Sequence, residues 1–152
     1  MIKIWDLDTG EEKATLRGHS GIVSALAFAP DGTLASAGED AAVRLWSPTR
    51  EGAPIILRGH QAAFLALAFS AGGRSLVSGD ADGVVMVWDP ARGVARQALP
   101  REPAGVSALA FDPQGEYLLS GNWSGAVARW QGEPPPPPPP AELLPEIGRA
   151  HV

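Results

Sequence analysis

The chain has 152 residues, 45% of them hydrophobic, and a net charge of −5, so it is long enough for one packed domain and too apolar for a disordered chain. Its 12 Lys and Arg residues are scattered rather than gathered into a basic stripe, which argues against a nucleic-acid partner. It has no cysteine, which excludes a disulfide framework and a thiolate metal site, and no run near the ~18 apolar residues of a membrane span, so no membrane partner is expected.

In chain order, the segment Met1–Gly10 carries no apolar run behind a basic cluster, so it does not read as a leader peptide. The absence of cysteine is compatible with a reducing compartment, and the cytoplasm is the expected location. From there to Gln131 the sequence consists of short apolar runs separated by turn signals. The turns are Pro30-Asp31-Gly32, Ala71-Gly72-Gly73 and Pro113-Gln114-Gly115, with Asp82-Gly83 and Ser124-Gly125 between them. No helical i, i+3, i+4, i+7 pattern runs through these segments, and short strands at this spacing predict an all-β domain.

The runs repeat. Trp5, Trp46, Trp88 and Trp130 are 41, 42 and 42 residues apart, and Ile2, Val43, Val85 and Val127 stand three residues before them. The string Ala-Leu-Ala-Phe occurs at 25–28, 66–69 and 108–111. Leu34, Leu76 and Leu118 each stand two residues before Ser36, Ser78 and Ser120. A fixed period of this length in an all-β sequence predicts a propeller with four strands per blade.

The residues that open and close the repeats add a family likeness. Gly18-His19 and Gly59-His60 open two of them, and Trp5-Asp6 and Trp88-Asp89 close two. Over residues 1–131 the chain resembles the WD40 repeat family. It departs from the pattern where Ser47 and Gln131 replace the closing Asp and where Arg101-Glu102 replaces Gly-His. The resemblance implies that residues near 2–6 and 12–17 are the third and outer strands of one blade. Residues 22–58 and 64–99 are then complete blades. A last blade supplies three strands near 105–111, 116–121 and 126–131. The expected domain is 1–132, a partial propeller of about three and a half blades and an unclosed fragment, which should self-associate through its open edges.

His19, Ser36, Asp40 and Trp46 have the residue types of a Ser-His-Asp catalytic set, and so do His60, Ser78, Asp82 and Trp88. Two identical copies one period apart are not what an enzyme needs. A buried indole N–H, imidazole and carboxylate each require hydrogen-bond partners. The resemblance implies a structural tetrad in which Trp donates to Ser, Ser meets His and His meets Asp. In the third repeat, Glu102, Ser120, Ser124 and Trp130 occupy these places. With His and Asp both replaced, that tetrad is expected to shrink to Trp130 and Ser120. Its blade should be the least rigid, with Arg129 standing where Ile4, Leu45 and Val87 stand elsewhere. No catalytic residue, cofactor or metal site is expected.

In WD40 proteins partners meet the face formed by the loops before the first strand and between the second and third strands of each blade. The resemblance carries this role to the residue before the tetrad Asp, hence Glu39, Ala81 and Trp123. It also carries it to positions early in the first strand: Ile22, Ser24, Ala63, Leu65, Gly105 and Ser107. Trp123 is the one Trp outside the periodic set, and it has two readings: an anchor for a partner, or local packing that fills the space of the absent His. The expected function is a non-catalytic scaffold binding a protein or peptide on this face. The alternative is the sensory propeller of a larger signalling enzyme of nucleotide-binding or kinase type. Residues 133–146 contain seven consecutive prolines, Pro134–Pro140, and read as a polyproline II linker or a ligand for a proline-binding domain. Residues 147–152 match the translation of a widely used sequencing adapter and are expected to be a cloning or assembly scar.

Overall fold

The computed structural model describes residues 1–47 and 52–131, with the backbone alone at Phe64 and Leu65. The Pro-rich segment 133–146 and the adapter-like ending 147–152 lie outside the described residues.

Among the described residues thirteen strands form four antiparallel sheets, and there is no helix. The first sheet pairs β1 (Ile2–Trp5) with β2 (Glu12–Leu16). The second runs in chain order through β3 (Val23–Phe28), β4 (Leu34–Gly38), β5 (Val43–Trp46) and β6 (Ile55–Leu57). The third repeats this with β7 (Phe64–Phe69), β8 (Leu76–Asp80), β9 (Val85–Asp89) and β10 (Val94–Ala98). The fourth holds β11 (Val106–Phe111), β12 (Tyr117–Asn122) and β13 (Val127–Gln131). These are the sheets of a partial propeller, and the strands fall where the periodic markers put them.

The connections are short because the turn chemistry is local. In the three first-to-second-strand turns, Gly32, Gly73 and Gly115 donate their N–H to the carbonyls of Ala29, Ser70 and Asp112, at 2.9–3.0 Å. The residues after Trp5 and Trp88 shape the turns to the outer strands. Asp6 Oδ1 accepts the N–H groups of Asp8 and Thr9, and Asp89 Oδ1 accepts those of Ala91 and Arg92. Such Asx geometry lets a carboxylate replace a backbone acceptor.

The core lies between sheets, not within one. Side chains alternate across a strand, so each sheet has a face toward the sheet before it and a face toward the sheet after it. Ala35, Ala37, Val43, Leu45 and Leu57 of the second sheet pack with Leu76 and Trp88 of the third. Val77, Val85 and Val87, on the other face of the third sheet, pack with Val106 and Leu118 of the fourth. Ala35 and Ala37 are fully buried and small, which leaves room for the Trp88 indole. Each buried Val or Leu here contributes about 1.5–3 kcal/mol relative to an exposed one.

All three first strands carry a bulge at the same place. Val23 faces Gly38 while Ala25 faces Ala37, so Ser24 is the extra residue. Leu65 and Ser107 are the extra residues of β7 and β11. A bulge re-aims the side chains beside it and sharpens the local twist. Ser24 and Leu65 are among the residues that the sequence nominates for partner contact.

Candidate functional site

Each connection from an outer strand to the next sheet is tied down by a buried polar network. His19 sits between β2 and β3. Its Nε2 lies 2.7 Å from Ser36 Oγ on β4, and its Nδ1 lies 3.0–3.1 Å from the Asp40 carboxylate in the turn after β4. Trp46 on β5 donates its indole N–H to Ser36 Oγ at 2.8 Å. Two groups meet Nδ1: the Asp40 carboxylate, which only accepts, and Arg44 Nη1 at 3.0 Å, which only donates. Because Arg44 has the same carboxylate as its acceptor, we assign the proton to Nδ1, facing Asp40, and Nε2 then accepts from the Ser36 hydroxyl. Arg44 joins this set: its Nη1 donates to Asp40 Oδ2 at 2.8 Å, and both side chains are about nine-tenths buried. Burial by itself would raise the Asp40 carboxyl. The hydrogen bond from His19 and the Ser20 and Ala42 N–H groups outweigh it and hold the group below its ordinary value.

The second network has the same form with one member changed. His60 Nε2 lies 2.7 Å from Ser78 Oγ, which accepts the Trp88 N–H at 2.7 Å. The carboxylate on His60 Nδ1 is Asp80, at 2.6 Å, and not Asp82. Asp82 is exposed. Asp80 lies at the end of β8, where the second sheet has Gly38. From there its Oδ1 also accepts the N–H groups of Asp82 and Val84 at 2.9 and 3.0 Å. The carboxylate that closes the turn and the carboxylate that holds the histidine are therefore one group, which leaves Asp82 no buried task. His60 and Asp80 side chains are 0% and 1% exposed. Burial pushes the imidazole below its ordinary value against the opposing pull of Asp80, so it stays neutral near pH 7. Gly59, just before it, packs closely: a Cβ there would lie 3.2 Å from both the Met86 side chain and the Trp88 ring, so one of them would have to shift by a few tenths of an ångström.

The third network is rebuilt rather than reduced. Glu102 is 6% exposed and occupies the place of the histidine. It accepts hydrogen bonds from the Ser120 hydroxyl and, at 2.7 Å, from Asn122 Nδ2. Trp130 donates to Ser120 Oγ at 3.0 Å. Asn122 is the positional counterpart of Asp80. Its Oδ1 accepts the N–H groups of Ser124 and Ala126 and the Ser124 hydroxyl. The expectation that only Trp130 and Ser120 remain is thus corrected. Glu102 replaces His as the acceptor, Asn122 replaces the acid, and Ser124 only braces Asn122. Arg129, in turn, stacks on the Tyr117 ring at 4.6 Å. Among the described residues no buried side-chain nitrogen or oxygen lacks a partner.

Although Ser, His and Asp line up as in a hydrolase, Ser36, Ser78 and Ser120 are fully buried and each hydroxyl oxygen already accepts an indole N–H. A nucleophile needs a free approach path, and these have none. Among the described residues no three His, Asp or Glu side chains gather as metal ligands would.

The nominated partner residues lie together at the end of the sheets that carries the second-to-third-strand turns. Glu39, Ala81 and Trp123 donate their backbone N–H to the carbonyls of Ile22, Ala63 and Gly105, at 2.9–3.0 Å. Each turn is thereby pinned to the start of its own first strand. Glu39 is exposed and its carboxylate accepts the Ile22 N–H at 3.1 Å. Ile22 and Trp123 are 65% and 62% exposed, and Ser24 is exposed on its bulge. The Trp123 ring lies against the backbone of Gly105, where an added Cβ would come within 2.7 Å of it. It does not fill the space of the absent histidine, which Glu102 occupies.

Comparison with known proteins turns on the same repeat. The family model described as "WD domain, G-beta repeat" matches residues 10–47, 54–89 and 96–131. The chain belongs to the WD-repeat family. Each matched repeat begins with the outer strand of one sheet and ends with the third strand of the next. The buried networks therefore join consecutive sheets within one WD repeat. The chain is similar to human WD repeat and SOCS box-containing protein 1, 41% identical over 80 residues that make up 51% of this chain and 19% of that protein. It is similar to mouse transducin beta-like protein 3, 32% identical over 80 residues, 51% of this chain and 10% of that protein. It is also similar to DDB1- and CUL4-associated factor 13 of Dictyostelium discoideum, 40% identical over 47 residues, 30% and 11% of the two chains. The matched stretch spans less than a fifth of the length of these WD-repeat relatives.

Asp80, Asn122 and Arg44 escape a reading by spacing alone. The signal for the first two was the column two residues after each tetrad Ser, which reads Gly38, Asp80 and Asn122. A residue able to accept a hydrogen bond there competes with the one two positions later.

Proposed function

We propose that this chain is a non-catalytic scaffold that binds a protein or peptide on the face carrying Ile22, Ser24, Glu39 and Trp123, with Leu65 at the central bulge. The observation that carries this reading is the Trp123 indole, largely exposed yet in close contact with Gly105, where no side chain could fit between them. An aromatic ring that is held in place gives contact area at little cost in side-chain entropy, and Trp is enriched among residues that dominate binding energy. Two relatives support a role in assemblies by name: one joins WD repeats to a SOCS box, and one is a factor associated with DDB1 and CUL4. The burial of every tetrad hydroxyl supports the absence of hydrolytic chemistry. The alternative of a sensory propeller in a larger signalling enzyme gains no support from these names.

The test is affinity capture with the wild-type chain and Trp123→Ala, each checked for an unchanged unfolding midpoint. Loss of the captured proteins with Trp123→Ala is the expected result. Capture that survives both Trp123→Ala and Ile22→Ala would place the partner elsewhere. A hydrolytic turnover abolished by Ser36→Ala in a folded protein would overturn the non-catalytic reading.

A further inference from the structure

At the opposite end of the sheets, where the first-to-second-strand turns lie, a cavity of about 640 Å³ opens beside β5. Its walls include Leu16, Leu45, Trp46, Pro54, Ile55 and Pro90, and no ionisable side chain lines it among the described residues. A smaller cavity adjoins it, sharing Thr33, Pro90 and Ala91 and adding Phe69. Trp46 has already committed its N–H to Ser36, so it offers the cleft only ring surface.

The described chain ends at the same end. Trp46, Trp88 and Trp130 pair with Leu34, Leu76 and Leu118. Gln131 is therefore the counterpart of Ser47 and Asp89, which border the cleft or immediately precede it. Gly132 and Glu133 follow, and then Pro134–Pro140. We propose that this proline run docks into the cleft of its own chain.

Three arguments support that occupant over others. The first is reach. Packed sheets stand about 10 Å apart, so the cleft lies on the order of 20 Å from the fourth sheet. Two extended residues span about 7 Å, so about four of the seven prolines, at about 3.1 Å each in polyproline II, cross the remaining distance and the last three enter the cleft. The second is chemistry. A proline run has no backbone N–H to satisfy and presents uncharged rings. Polyproline segments dock on grooves lined with aromatic residues, and the described walls of this cleft offer Trp46, Pro54 and Pro90, with an ionisable side chain, Asp31, on the adjoining cavity. The third is tethering. A short linker gives an effective concentration in the millimolar range, so a weak site is filled by a tethered segment before a free one.

The chain contains no cysteine, so Ala141→Cys gives a single attachment point for a spin label in the full-length protein. Docking predicts loss of amide intensity at Ala53, Ile55 and Ala91, with Glu39 and Trp123 at the far end unaffected. The loss should vanish when Pro134–Pro140 are replaced by alternating Gly and Ser. It should vanish independently with Ala91→Arg, which fills the cleft from an exposed turn. Intensity loss that is absent at the cleft, or equal at both ends, overturns the proposal. Mixing spin-labelled chains with isotope-labelled chains that carry no spin label separates the remaining case. Loss at the cleft seen only between chains would mean that the run docks on a second copy, and the intramolecular proposal fails.

Discussion

Asp80 Oδ2 lies 2.6 Å from His60 Nδ1, although Asp82 is the residue one period after Asp40. The choice follows from the turn. From position 80 one carboxylate reaches the imidazole and also accepts two backbone N–H groups, whereas from position 82 the side chain is exposed. Asp80→Ala leaves the His60 Nδ1–H and two backbone N–H groups without their acceptor, and an unsatisfied buried polar group costs about 1–3 kcal/mol, while an exposed substitution usually stays within about 0.5 kcal/mol. Asp80→Ala should therefore lower the denaturant midpoint sharply and Asp82→Ala should leave it almost unchanged. Equal shifts for the two variants would contradict the assignment.

The same pair makes stability depend on pH in a definite direction. Burial holds the His60 pKa below its ordinary 6.5, even with Asp80 pulling the other way. The folded state then binds that proton less readily than the unfolded one. The stability is fully present above 6.5 and is lost as the pH falls through the lower folded value. Asp40 is depressed below 3.8, so its contribution is present above 3.8 and is lost on further acidification. The unfolding free energy from urea titrations should be flat above pH 6.5 and then decline, by at most about 1.4 kcal/mol per pH unit for each proton, and the midpoints should follow it. In His60→Gln the first decline should disappear. A wild-type midpoint that rises between pH 6.5 and 5 would reverse the sign and refute the account.

The strand plan was legible because it is written in period. Trp46, Trp88 and Trp130 each need a Ser hydroxyl ten residues earlier, and each pairs across the sheet with a Leu in the first two residues of the preceding strand. Such markers survive only at fixed spacing. The polar networks were less legible, because hydrogen bonding depends on reach and not on column. A carboxylate at position 80 or at position 82 can serve the same turn, and only the direction of the side chain decides between them. Glu102 was misread for a related reason. Its length lets it accept from both Ser120 and Asn122, so losing His did not empty the site.

That arrangement in the fourth sheet yields a prediction of its own. Glu102→Ala removes the acceptor of two buried donors, Ser120 and Asn122, and an unsatisfied buried polar group costs about 1–3 kcal/mol. Glu102→Gln keeps an acceptor oxygen and should cost less. Asn122→Asp should be the most informative variant. It places a second carboxyl against a buried one, and two close carboxylates cannot both ionise. The variant should be destabilised at neutral pH and partly recover as the pH is lowered toward 5, opposite to the trend of the wild type. Thermal midpoints of Asn122→Asp at pH 7.5 and 5.5 decide it, and parallel behaviour of variant and wild type would exclude close contact between the two acids.

Ala41 has φ 56°, the one non-glycine residue with positive φ among the described residues. Its counterparts one and two periods on are Gly83 and Gly125, at φ 84° and 85°. An L-residue in this region pays roughly 1–2 kcal/mol in contact between Cβ and the backbone. Glycine removes that strain but loses more freedom on folding, by roughly 0.5–1 kcal/mol. Ala41→Gly should therefore stabilise the protein by about 0.5–1 kcal/mol, a case in which a smaller side chain helps. The reverse changes differ between the two counterparts. At Gly125 an added Cβ meets nothing within 4 Å, so Gly125→Ala should cost only the backbone strain. At Gly83 it would lie 2.2 Å from the Glu102 carbonyl oxygen, which has to move and takes with it the Glu102 N–H bond to the Gly83 carbonyl. The expected order of midpoints is Ala41→Gly above wild type, then Gly125→Ala, then Gly83→Ala. Destabilisation by Ala41→Gly would mean that the turn draws its stability from the alanine methyl and not in spite of it.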